Sequence, residues 1–260
     1  MPGVLSPPEH RVVLHHVSWE TYGRILAEHS DCSSPRFTFD HGELEIVTLS
    51  AEHERYSLRI ADLLGILADE MDMEVEGLGS TTFKRQEFER GFEPDSCYYV
   101  RNIERVCGKN RIDLAVDPPL DLVVEVDITS PSISKLPLFA EFGVPEVWGF
   151  DGEHLSMLHL KRATYQEVDR SEVFPGVPAA AIKQLLAQGR TLGRTGWLRL
   201  ARAWARTHCG KSSASGQRGT GEGKLRIWKD PSTLPARSEA SGLAGSRVHQ
   251  KLRFDFRSCQ

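Results

Sequence analysis

The stretch Asp121-Leu122-Val123-Val124-Glu125-Val126-Asp127 decides how this 260-residue chain folds. Leu122 to Val124 is an apolar run of the buried-strand kind, and it leads into two carboxylates spaced i, i+2. Strand side chains alternate, so Glu125 and Asp127 emerge on the same face. Like charges side by side at a strand end repel, and burial sharpens the repulsion. A cation between them removes the conflict. Hard divalent ions prefer carboxylate oxygens and keep several of their waters. The plainer alternative is a solvated strand end, but a charged pair after so apolar a run calls for a reason.

The neighbouring sequence supplies partners for that strand. Upstream, Glu93-Pro94-Asp95 leads into Cys97-Tyr98-Tyr99-Val100, a second strand-like segment. Downstream, Ser130-Pro131-Ser132 breaks the chain, and Lys135 to Phe142 reads as a short helix that accepts Pro137 in its first turn and ends at Gly143. Glu146 to Phe150 is the next strand, and a hairpin follows near 154–168. Earlier, Ser18 caps a helix over 17–29, and Asp40-His41-Gly42 turns a hairpin within 36–49. Ser50 caps a long helix with Glu52 and Glu54 in its first turn, where acids complement the helix dipole. Residues 74–100 suggest two or three strands, 101–117 a short helix and loop, and 179–188 and 195–207 two final helices.

Composition narrows the classes. Forty per cent of the chain is hydrophobic and 26% is charged, as in ordinary soluble domains. No apolar run has the length to cross a bilayer, and the Pro-rich start has no signal core, so no membrane partner and a cytoplasmic location are expected. The five cysteines are odd in number and lack a C-x-x-C spacing, which argues against a disulfide scaffold or structural zinc. His53-Glu54 begins like H-E-x-x-H, but position 57 is Ser, so that zinc motif fails. Charge is uneven: residues 208–260 hold ten Lys/Arg and four Asp/Glu, against 22 and 32 in residues 1–207. Gly, Ser and basic residues without hydrophobic period make 208–260 read as a disordered, low-complexity tail.

Several blocks together resemble the Uma-type restriction endonuclease family, within the PD-(D/E)XK nuclease superfamily. They are Gly42-Glu43-Leu44-Glu45, Glu52-His53-Glu54-Arg55-Tyr56, Glu93-Pro94-Asp95, the stretch from Asp121 to Ser132, Lys135, and Phe142-Gly143-Val144-Pro145-Glu146-Val147-Trp148. The resemblance spans roughly residues 15–190 and implies an α/β, restriction-endonuclease-like fold with a mixed central sheet flanked by helices. The expected organisation is an N-terminal extension over 1–14, the nuclease-like domain over 15–190, a C-terminal helix over 191–207, and the tail. By resemblance, Asp95 and Glu125 map onto the metal-binding acids. The superfamily's usual lysine position, two residues beyond the strand acid, is here Asp127, and Lys135 on the following helix fits the family's lysine.

The expectation is a Mg²⁺-dependent (or Mn²⁺-dependent) endonuclease acting on DNA. Asp95, Glu125 and Asp127 would hold the metal, Lys135 would steady developing phosphate charge, and Glu54 would bridge through water, with His53 a further candidate. A homodimer is expected from the family alone. Each residue has a plainer reading. Asp95 taken alone is a turn residue after Pro94, Lys135 is equally a surface helix lysine, and Glu54 is a helix-start acid. Asp127 in the lysine position keeps open a second class, a nuclease-fold module that binds nucleic acid or protein without cutting.

Overall fold

A computed structural model describes residues 9–30, 34–127 and 134–209. The break at Ser130-Pro131-Ser132 and nearly all of the basic tail lie outside these residues.

Two sheets organise the domain. The first is antiparallel, in the order β1-β3-β2-β6-β5, from His10–Leu14 (β1), Arg36–Asp40 (β2), Glu43–Thr48 (β3), Phe83–Arg85 (β5) and Arg90–Phe92 (β6). Helix α1 (Trp19–Glu28) packs Tyr22 onto Phe37, Phe39 and Leu44 of this sheet. The β2–β3 turn places His41 at φ +49 and Gly42 at φ +90. Two successive left-handed residues match the right-handed twist of a hairpin, and Gly42 adopts that conformation without a steric penalty.

The second sheet runs β11-β10-β9-β8-β7-β4 and is mixed. Its strands are Glu76–Gly77 (β4), Ser96–Tyr99 (β7), Leu122–Val126 (β8), Glu146–Phe150 (β9), Leu155–Lys161 (β10) and Thr164–Val168 (β11). β7 and β8 pair antiparallel, with Ser96 opposite Val124, while β8 and β9 are parallel, with Leu122 opposite Glu146. A parallel pair needs a crossover, and the chain supplies one carrying the short helix α4 (Leu136–Glu141). A further helical turn, α3 (Ile103–Val106), lies between β7 and β8.

Both faces of this sheet are covered, which is why every residue of β8 is buried. On one face Leu122, Val124 and Val126 meet the long helix α2 (Ala51–Met71), with α5 (Ala179–Gly189) and α6 (Arg194–His208) completing that core. On the other, Val123 and Val147 pack with Phe139 and Phe142 from the α4 region and with Phe92 from the first sheet. Leu63 of α2 is fully buried, and truncating it to alanine is worth roughly 2–5 kcal/mol.

The element pattern therefore follows the sequence expectation: mixed α/β, with the central sheet flanked by helices. Two differences stand out. There is a second sheet, built largely from the hairpin at 36–49. Within the expected N-terminal extension, His10–Leu14 forms a strand paired with β3, with Val13 opposite Glu45.

Candidate active site

The buried run of β8 ends at a charged cluster, and three elements deliver it. Asp95 lies just before β7, one step beyond the last β7–β8 pair, and so comes opposite Glu125. Ser50 caps α2 by accepting the His53 amide at 3.1 Å, and this fixes the first turn with the His53 ring inward. Lys135, at the start of α4, sends its amine back to the strand end.

The contacts are close. Lys135 Nζ lies 2.5 Å from Glu125 Oε2. Asp95 Oδ2 accepts the Val126 amide at 2.7 Å and pairs with His53 Nε2 at 3.0 Å. Since Asp95 can only accept when ionised, Nε2 carries the ring proton in this pair. Glu125 Oε1 is buried and has no hydrogen-bond partner among the described residues. A buried, unpaired carboxylate oxygen is costly, roughly 1–3 kcal/mol or more.

The electrostatics follow from burial and proximity. Burial pushes the Glu125 carboxyl up to about 8, with the Lys135 charge opposing and the Asp95 charge assisting. Burial alone would lower Lys135, but Glu125 and Asp95 hold its ammonium above the usual lysine range. Asp95 is pushed up by burial yet ends below its ordinary value, because the His53 hydrogen bond and the Lys135 charge outweigh desolvation. His53 is the mirror case: burial lowers it, and the bond to Asp95 raises it above normal.

Asp95, Glu125 and Lys135 are thus brought together. Asp127 lies close enough for its charge to act on Glu125 and Lys135, and its Oδ1 also accepts Arg11 Nη2 of β1 at 2.7 Å. The same guanidinium meets Glu9 at 2.7 Å and Glu45 at 3.5 Å. Glu54 is exposed, because its position on the first turn of α2 faces outward where that of His53 faces inward. His53, the further candidate of that turn, is the residue that pairs with Asp95. Its signal was its position within the Glu52–Tyr56 block. Arg11 had no such signal, since an arginine in a short N-terminal strand looks like any surface cation.

The donor set fits a hydrated ion. Glu125 Oε1 is an unpaired buried acceptor, and Asp95 lies across from it. Mg²⁺ is commonly held by one or two carboxylates, with waters and substrate phosphate completing the shell. An all-protein cage is not present: among the described residues no group of three or more His, Cys, Asp and Glu side chains is arranged to hold an ion.

A mixed sheet with buried acids and a lysine at its rim defines a nuclease-like protein. The family model Uma2, described as "Putative restriction endonuclease", matches residues 19–192, and the chain belongs to that family. Among solved structures it is similar to "a putative nuclease belonging to DUF820" from Anabaena variabilis, at 12% identity and a TM-score of 0.38, covering 69% of this chain and 98% of that one. Among curated proteins there is no match.

Proposed function

We propose that the chain is a divalent-metal-dependent endonuclease that hydrolyses phosphodiester bonds in DNA. The observation that carries this is Glu125: a buried carboxylate opposite Asp95, with one oxygen on Lys135 and the other without a hydrogen-bond partner among the described residues. Asp95 and Glu125 would hold Mg²⁺ or Mn²⁺. That ion supplies Lewis-acid polarisation of a phosphate and a lowered pKa for water. Lys135 offers a fixed ammonium beside the place where negative charge builds on the phosphate oxygens, the preorganised arrangement that counts most in such chemistry. His53 and the Val126 amide fix one Asp95 oxygen. Arg11 holds Asp127 and so shapes the rim without joining the metal set.

The family resemblance alone suggests a homodimer, and the proposed place of action is the cytoplasm. Sedimentation of the full chain with and without duplex tests the dimer. Among the described residues no helix is long and apolar enough to cross a membrane. The nuclease reading is tested with supercoiled plasmid and oligonucleotide duplex, in Mg²⁺, in Mn²⁺ and in chelator. Cleavage should need metal and vanish in Asp95→Ala and Glu125→Ala. Undiminished cutting by both variants refutes the assignment.

A second reading has its own observation. With Asp127 tied to Arg11 and no three-ligand cage among the described residues, the fold would serve as a binding module without cleavage. Calorimetry separates the two, because that reading requires that millimolar Mg²⁺ and Mn²⁺ give no heat of binding at the site.

A further inference from the structure

Beside the charged cluster, α1, β5 and the segment 109–114 enclose a groove of about 510 Å³. A second cavity of about 210 Å³ adjoins it. Leu26, Ser30, Thr81 and Thr82 line both, so the two form one continuous channel. Its inner end is lined by Glu93, two residues before Asp95. The Glu93 carboxyl feels the charges of both Arg36 and Lys135, which places this end within electrostatic reach of the proposed centre.

Among the described residues the channel lining carries a small net positive charge within an acidic domain. Lys84, Lys109 and Arg111 line the outer part against one acid, Asp113. Arg36 lines the inner part opposite Glu93. Lys109 is neutralised by Asp117. Lys84 and Arg111 are exposed and make no ion pair among the described residues. Arg36 Nε is buried with no hydrogen-bond partner among the described residues, although its side chain lines the cavity. A buried guanidinium nitrogen without an acceptor invites one. The Thr81 and Thr82 hydroxyls of the wall already donate to the Leu78 carbonyl and to Glu93 Oε1, so contacts to phosphate fall to the cations.

Resting on the nuclease reading, we propose that this channel holds the backbone of a single nucleic-acid strand leading away from the scissile phosphate. Lys84, Arg111 and Arg36 are its phosphate contacts. The size selects one strand, since the volumes suit a ligand of a few nucleotides, in the range of about 300–1,000 Å³ typical of enclosed sites, and not a duplex. The chemistry selects backbone over bases. Phe83 and Phe37 are 2% and 3% exposed, which leaves the half-buried His29, packed edge-on to Phe37, as the one aromatic surface in the described walls. Binding is therefore driven by phosphate, indifferent to sequence and steeply dependent on salt.

The test uses the full chain in excess chelator, so that binding is read apart from cleavage. Fluorescein-labelled oligothymidylate is titrated by anisotropy across a series of KCl concentrations. Lys84→Ala with Arg111→Ala should bind about tenfold more weakly, and the slope of log affinity against log salt should fall by about 1.4, or about 0.7 per lost phosphate contact. Lys84→Arg with Arg111→Lys should bind like wild type. The control pair is Arg199→Ala with Arg202→Ala on α6, which should change affinity little. The inference is overturned if the groove pair binds normally, if the α6 pair loses as much, if wild type fails to bind the probe, or if polyglutamate displaces the probe as well as unlabelled oligothymidylate does. Plasmid cleavage in Mg²⁺ is measured in parallel. Loss of cleavage with binding intact counts against the nuclease reading alone, and normal cleavage with unchanged groove-variant binding counts against the channel alone.

Discussion

Two buried glutamates stand on adjacent strands of the central sheet, and they are treated in opposite ways. Glu146 begins β9, is 1% exposed, and is saturated. Its Oε1 accepts Trp148 Nε1 and the Ser171 hydroxyl, each at 2.6 Å, and its Oε2 accepts the amides of Glu172 and Val173 at 2.8 and 3.0 Å. His159 Nε2 lies a further 3.1 Å from Oε2. Glu125 lies near the end of β8, is 6% exposed, and has Lys135 on one oxygen and no hydrogen-bond partner on the other among the described residues. Burial alone does not separate structural acids from working ones. What separates them is whether the fold has used up their hydrogen-bonding capacity. Glu146 is a brace that anchors the 171–173 loop to the sheet. Glu125 keeps its capacity for a ligand.

The sharpest way to break this contrast is through activity. Glu125→Ala should lower cleavage at least about a hundredfold, a loss of the size seen when one preorganised electrostatic group is removed. Glu146→Gln, which keeps one acceptor oxygen and turns an NH2 group toward two of the four donors, should cost stability but leave the kcat of folded protein near wild type. Equal losses in plasmid-nicking assays would erase the distinction.

Stability should show the reverse order. Glu146→Ala strands four donors in the interior and should cost about 3–5 kcal/mol in urea unfolding. The double change Glu125→Leu with Lys135→Met removes a buried pair together with its unpaired oxygen. It should be neutral or stabilising by roughly 1–4 kcal/mol while leaving no cleavage. A strongly destabilised double variant would mean that the pair is also a brace.

Metal binding should depend on pH. The metal takes the ionised carboxylate, and Glu125 is held up to about 8, so below that value binding must expel a proton. Mn²⁺ affinity by calorimetry should climb as pH rises from 6 to 8 and then level off. A flat profile over that interval, or an unchanged slope in Glu125→Gln, contradicts the account.

The smallest effect concerns His53. Asp95 is depressed, so its contribution is present above its unfolded value near 3.8 and is lost as pH falls through the folded value. His53 is raised, so its contribution is full below 6.5 and is lost as pH climbs through the folded value. The stability difference between wild type and His53→Gln should therefore be largest between about 4 and 6.5 and shrink on either side. A difference that grows toward pH 8 would show that some other contact is being measured.

The sequence carried the scaffold well, for physical reasons that differ by element. Ser18 and Ser50 cap helices that begin at the next residue, because capping is local chemistry. Leu122–Val126 is legible because a strand buried on both faces reads as a nearly unbroken apolar run, here interrupted only by Glu125. The acid–acid–lysine group is legible through its order along the chain. The rest depends on contacts between distant segments. That Asp127 would be taken by Arg11, 116 residues away, and that His53 and not Glu54 would turn inward, are decided by tertiary packing. Edge strand β1 is only five residues long and has one neighbour, so local pattern gives it little prominence.

The Arg11 contact has a consequence for biosynthesis. Asp127 emerges 116 residues after Arg11, which at about 5–20 residues per second is a delay of roughly 6–23 seconds on the ribosome. Glu9 and Glu45 are translated much sooner and can neutralise the guanidinium in the interval. The first sheet can thus assemble early around a charged rivet whose last acceptor arrives only with the strand that carries Glu125, so that this corner of the domain is fastened late in translation.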